Sequence, residues 1–218
     1  YEGILARAFR HRFDYLDNHS LGNLILTAIA DETNSFPDAI RVCEGLIEAR
    51  GHVYPSTLHD VSLYGLTNDG TELEGQAVIS DADCSMRYVS LHPADAQAYP
   101  SALRVIREAN FIVLGPGSLF TSIIPNLLVP GVIDAIREAH DRENDPACTL
   151  FVCSLADMQG ETWGMNCYDY VDALLRHGMR GLLDIALIHR NSETSPMASG
   201  VFPAITDYSD ARKYTKGR

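Results

Sequence analysis

The chain has 218 residues, enough for one large domain or two small ones and for a sizeable buried core. Hydrophobic residues make up 46% and charged residues 21%, ordinary values for a globular protein. A formal net charge of −12 leaves no broad basic face, which excludes a nucleic-acid footprint and disfavours an anionic membrane. An anionic small ligand stays open, because backbone N–H groups and helix starts hold phosphate without net positive charge.

No apolar run is long enough to span a bilayer, and no signal-peptide pattern opens the sequence, so membrane insertion is not expected. The five cysteines (Cys43, Cys84, Cys148, Cys153, Cys167) are odd in number and lack C-x-x-C spacing, which argues for a reducing cytoplasm rather than a disulfide framework. The first residue is Tyr1, and a helical pattern is under way by Ile4, as in the middle of a longer chain.

Residues 2–13 carry Leu5, Phe9 and Phe13 at helical spacing, with Arg7, Arg10 and His11 on another face. Ser20 is placed to cap a second helix, LGNLILTAIADE. Ser35 is placed to cap a third, with Pro37 and Asp38 in its first turn, running to Gly51. VSLYGLT and ELEGQAVIS, joined through Asp69-Gly70, read as a β-hairpin, followed by a strand at 86–92. Pro100 opens a helix ahead of Phe111–Leu114, an apolar run read as a fully buried strand. Further helices and strands alternate: VIDAIREAH, the strand at 149–155, CYDYVDALLRH, and the strand at 182–189. The fold class is therefore α/β, a mostly parallel sheet flanked by helices with an antiparallel hairpin excursion. Residues 1–189 are expected as one domain and 190–218 as a polar, poorly ordered tail.

Two loops follow predicted parallel strands, where α/β folds bind ligands. In the first, Gly115, Pro116 and Gly117 allow close backbone approach, and Ser118, Thr121 and Ser122 add hydroxyls. The same residues also suit a tight strand-to-helix connection. In the second, Gly160, Glu161 and Thr162 could bond sugar hydroxyls or cap the next helix. Asn23, at a helix start, suits a cap or a ligand contact.

His52 and His59 lack metal-ligand spacing, Cys153 has no local His partner, and neither a G-x-S-x-G elbow nor a Walker lysine is present. No catalytic residue and no metal site is assigned. Asp157 alone could hold Mg²⁺ together with a phosphate.

HSLGNLILTAI, GHVYPST, LTNDGTELEG, IREANFIVLGPGSLFTSIIPNLLV and QGETWG with DYVDALLRHG occur in that order. Together they resemble the YvcK-like branch, the gluconeogenesis factors, of the CofD-like family. Arg12-Phe13 also fits the family's Arg-Phe step. The resemblance implies a Rossmann-like fold whose N-terminal strand and Gly-rich loop are absent from this chain. It implies a cytoplasmic, non-enzymatic protein that binds a nucleotide sugar of the UDP-N-acetylglucosamine type, linked to gluconeogenic growth, cell shape and cell-wall synthesis in bacteria.

On this resemblance Gly115, Pro116, Gly117 and Ser118 would meet the diphosphate or sugar, with Thr121 and Ser122 in support. Asn23 would bond the ligand across the crevice, and Gly160, Glu161 and Thr162 would close its other side. The sister branch implies the alternative: a phospholactyl-type transferase using a guanosine nucleotide, a deazaflavin and Mg²⁺. The GPGS loop favours the first branch. A homo-oligomer is compatible with either.

Overall fold

The structure is a computed structural model and describes residues 2–16, 18–158, 160–188 and 201–203. The chain divides into two compact units, Tyr1–Leu58 and His59–Arg218.

The first unit is helical. Helix α1 (Glu2–Arg10) ends before Arg12, so the helix expected over 2–13 is shorter, and β1 (Arg12–Phe13) pairs antiparallel with β2 (His19–Ser20). The Arg12 guanidinium donates to the Asn18 carbonyl at 2.8 Å and closes that turn. Helix α2 (Leu21–Thr33) starts where Ser20 Oγ accepts from the Asn23 N–H at 3.2 Å. Helix α3 (Phe36–Leu46) starts where Ser35 Oγ accepts from the Asp38 N–H at 3.3 Å. It stops at Leu46 rather than Gly51, with the Ile47 N–H closing on the Cys43 carbonyl.

The second unit holds two sheets that position the site. The antiparallel one has order β4-β3-β5, with β3 Ser62–Thr67, β4 Glu72–Glu74 and β5 Met86–His92. Its hairpin turns at Asp69-Gly70, where Thr67 Oγ1 accepts from the Thr71 N–H at 2.8 Å. The second strand is shorter than ELEGQAVIS suggests: Gln76–Ser80 is helix α4. Burial overrides the β propensity of Ala-Val-Ile, because the helix seals Ile79 completely while Val78 faces outward.

Helix α5 (Pro100–Glu108) then leads into the parallel sheet, of order β6-β7-β9: Phe111–Leu114, Cys148–Val152 and Ile185–Leu187. Between β6 and β7 lie a π-helical turn (Leu119–Ile123), α6 (Ile124–Leu128) and α7 (Val132–His140). Strand β8 (Ala156–Met158) and α8 (Cys167–Leu174) come before β9, and β10 (Val201–Pro203) pairs with β8. The expectation for 190–218 otherwise lies outside the described residues.

The strand order runs in one direction, so right-handed crossovers put the connecting helices on one face of this sheet. On that face Leu114 and Phe151 join the core. The opposite face presents Phe111, Val113, Ile185 and Leu187 at 53, 47, 44 and 53% exposure. Phe111–Leu114 is therefore half exposed rather than fully buried, and the winding direction is the reason.

The free edge of β5 is covered from the second half. The Met86 N–H donates to the Glu161 carbonyl at 2.9 Å, and Arg176 donates to the Arg87 carbonyl at 3.2 Å. The Val89 N–H donates to His177 Nε2 at 3.3 Å, while Nδ1 bonds the Ala173 carbonyl at 2.6 Å, so the ring is neutral with its proton on Nδ1. Burial pushes the His177 pKa below its ordinary value of 6.5; the Ala173 bond opposes this and Arg176 adds to it.

The unfolded state therefore takes up a proton first, and this contribution to stability is lost as pH falls through 6.5 toward the folded value. Urea titrations between pH 7.5 and 5.5 are expected to show that loss, and His177→Gln to flatten it. An unchanged slope in the variant would remove His177 from the account.

Candidate functional site

Strands β6 and β7 are parallel, with Leu114 beside Phe151, so the loops after them leave the same edge of the sheet. In the first loop Gly115 has φ +95°, and a Cβ there would lie 3.0 Å from the Val152 carbonyl oxygen. The chain thus turns tightly over the end of β7 before Ser118, whose carbonyl accepts from the N–H groups of Ser122 and Ile123 at 3.0 and 2.9 Å. The N–H groups of Gly117, Ser118 and Leu119 donate to no described residue. Ser118 and Ser122 face solvent, as does Pro116, while Gly117 and Thr121 are half-buried. These are three consecutive N–H groups without a partner among the described residues, a run that can receive anionic oxygens.

The second loop does not directly follow β7, which ends at Val152 rather than at 155: β8, paired antiparallel with β10, comes between, and the loop after it is tied down at Gly160. Its φ is +121°, and a Cβ there would fall 2.1 Å from the Ser80 carbonyl oxygen. Thr162 is buried, and the turn closes through Trp163 N–H to the Gly160 carbonyl at 3.1 Å and Met165 N–H to the Thr162 carbonyl at 3.0 Å. The Gln159 position lies outside the described residues.

Glu161 joins the two loops. Its side chain is 7% exposed, and its carboxyl faces the first loop from inside. Burial raises its pKa above the ordinary 4.5; the Thr121 hydroxyl, the Phe120 and Thr121 N–H groups and the Ser118 hydroxyl act against that rise. Even so, Oε2 is sealed and makes no hydrogen bond of normal geometry. Glu161 is thus not the far wall of a crevice. It sits under the Ser118–Thr121 turn and holds it, while the outward donors of Gly117 and Ser118 stay free.

Asn23 belongs to the first unit, with its side chain exposed and its N–H taken by Ser20. Among the described residues no group of three His, Cys, Asp or Glu side chains could hold a metal ion. The Asp157 side chain lies outside the description. Burial and the neighbouring Cys167 push the Cys153 thiol up to about 12, so it is no thiolate nucleophile at neutral pH. No single helix among the described residues is long and apolar enough to cross a membrane. Sequence reasoning missed His177, whose role depends on a β5 edge 88 residues away. It also missed that Glu161 faces the backbone of Phe120 and Thr121.

A parallel sheet with helical crossovers, beside a separate antiparallel sheet, makes this an α/β fold. The family model described as 2-phospho-L-lactate transferase CofD matches residues 1–212, and the chain belongs to that family. It is 36% identical over 198 residues to the gluconeogenesis factor of Bacillus subtilis, covering 89% of this chain and 60% of that protein. It is also 36% identical over 191 residues to the gluconeogenesis factor of Halalkalibacterium halodurans, covering 86% and 58%. The chain thus spans less than two thirds of these relatives' length. Protein BH3568 from Bacillus halodurans has a crystal structure that superposes with a TM-score of 0.84 at 32% identity, covering all of this chain and 70% of that one. A second crystal structure, described as a member of the UPF0052 family, gives 0.82 and covers 98% and 70%.

Proposed function

We propose that this chain binds a nucleotide sugar of the UDP-N-acetylglucosamine type in the cytoplasm and regulates gluconeogenic growth rather than catalysing a reaction. Cell shape and cell-wall synthesis are its linked outputs. The observation that carries this reading is the free N–H run of Gly117, Ser118 and Leu119, beside exposed hydroxyls at the carboxyl edge of a parallel sheet. The gluconeogenesis factors among its relatives support the physiological role.

In this arrangement the diphosphate lies against the Gly117 and Ser118 N–H groups and the Ser122 hydroxyl, while the Ser118 hydroxyl stays on Glu161. Gly115 and Pro116 shape the turn, and Gly160, Glu161, Thr121 and Thr162 hold it from below. Glu161 is here a positioning residue.

Titration calorimetry with UDP-N-acetylglucosamine is expected to give saturable binding without Mg²⁺. Ser122→Ala, an exposed change, weakens it about tenfold, the loss of one hydroxyl bond to a charged oxygen. Binding of GDP with a deazaflavin, dependent on Mg²⁺ and followed by turnover, would instead assign the phospholactyl-type transferase. Unchanged affinity in Ser122→Ala would move the ligand off this loop.

A further inference from the structure

The antiparallel sheet has an open face that the loop site does not use. Its core face packs Leu63, Val89 and Leu91 inward. The opposite side chains stand in register: Glu74 beside Tyr64 and Ser90, Glu72 beside Leu66 and Tyr88, and Ser62 beside His92. There they line a cavity of about 310 Å³, formed by Tyr64, Leu66, Glu72, Tyr88, Ser90 and His92 around the backbone of Gly65 and Leu91.

Both aromatic rings are fixed. Tyr88 is stacked on His177 with centroids 4.6 Å apart at 15°, yet remains 44% exposed. Tyr64 meets His92 edge-on at 5.8 Å, and its hydroxyl bonds the Glu74 carboxylate. Neither Glu72 nor Glu74 is within ion-pair distance of a described Lys or Arg, and no Lys or Arg lines the cavity. No fixed positive charge there answers an anion, and the His92 ring is set against Tyr64. Electron-rich ring faces beside a free carboxylate answer a cation, and the chain's net charge of −12 favours its approach.

We propose that this cavity is a binding site for a small organic cation, an alkylammonium seated against Tyr88 and Tyr64 with Glu72 as its counter-ion. It stands apart from the nucleotide-sugar loop and does not depend on that reading. The apolar segment of the cation covers Leu66, and Ser90 can accept an N–H. A point charge such as Na⁺ gains little here, because the rings offer no oxygen cage.

The test is calorimetric titration of the full chain with spermidine, with tetramethylammonium and, as a neutral control, with glucose, all at physiological salt and without nucleotide. Both cations are expected to bind and glucose to give no heat. Glu72→Gln and Tyr88→Ala are each expected to weaken binding about tenfold, Tyr88→Phe to retain it, and Glu143→Gln, an exposed acid elsewhere, to leave it unchanged. Glu72 is exposed, so its variant keeps the test valid if Tyr88→Ala unfolds. Three results would overturn the proposal: no cation binding, cation binding equal in Glu72→Gln and Glu143→Gln, or Tyr88-dependent binding of glucose alone.

Discussion

Gly160→Ala is expected to cost about 4 kcal/mol and to leave little folded protein at 37 °C. Two separate effects add. At φ +121° any side chain is strained, which costs roughly 1–3 kcal/mol. The new methyl would also lie 2.1 Å from the Ser80 carbonyl oxygen, a backbone atom at the end of α4 that cannot swing aside as a side chain would. Relief requires α4 or the 160–162 turn to shift, at roughly 1–3 kcal/mol more. Such a shift also pulls on the Met86 N–H to Glu161 carbonyl bond that covers β5. Urea denaturation checks this. A midpoint within experimental error of the parent would mean that Gly160 is not packed against Ser80.

Glu161→Gln is expected to gain stability against the parent as pH rises to 7.5, because the neutral amide escapes the cost of a buried charge. The sign follows from the raised pKa. Above 4.5 the unfolded chain has released its Glu161 proton while the folded chain still holds it, so stability falls as pH rises through the folded value. The gain in Glu161→Gln should therefore be small at pH 4.5 and grow toward neutrality. His177 acts in the opposite sense over the same range, so each residue is read from its own variant against the parent.

Glu161 faces the Ser118–Thr121 turn, so its charge state bears on how that turn is held. Guanidinium or thermal unfolding of both proteins across pH 4.5–7.5 tests this. A Glu161→Gln variant less stable than the parent at neutral pH would show that the carboxylate is better satisfied than its sealed Oε2 indicates.

The elements most legible in the sequence were those fixed by local chemistry. Ser20 and Ser35 cap helices because their hydroxyls reach an N–H three residues on, and Pro100 opens α5 because its ring presets the first turn. Asp69-Gly70 turns the hairpin for a similar local reason. What the chain does not encode locally was harder to read. Ala77-Val78-Ile79 has strand composition and becomes helix because Ile79 must reach the core. Phe111 and Val113 look like buried strand residues, but the crossovers of this sheet lie on its other face.

The first loop was legible because it directly follows a parallel strand, whereas the second follows β8, a short strand of another sheet that composition does not separate from β7. Their relation was not legible. Composition cannot say whether Glu161 faces a ligand from across a crevice or lies beneath the loop that would hold it. Its burial and its approach to Thr121 and Phe120 are tertiary facts. The shelf of Tyr64 and Tyr88 was hidden for the same reason, because it exists only in the register of β3 with β5.

The most direct measurement is an amide NMR titration of the full chain with UDP-N-acetylglucosamine. Saturable downfield shifts are expected at the Gly117, Ser118 and Leu119 N–H groups, with the β3 and β5 amides unmoved. Saturable binding that leaves those three amides in place, or no binding at all, would contradict the nucleotide-sugar reading.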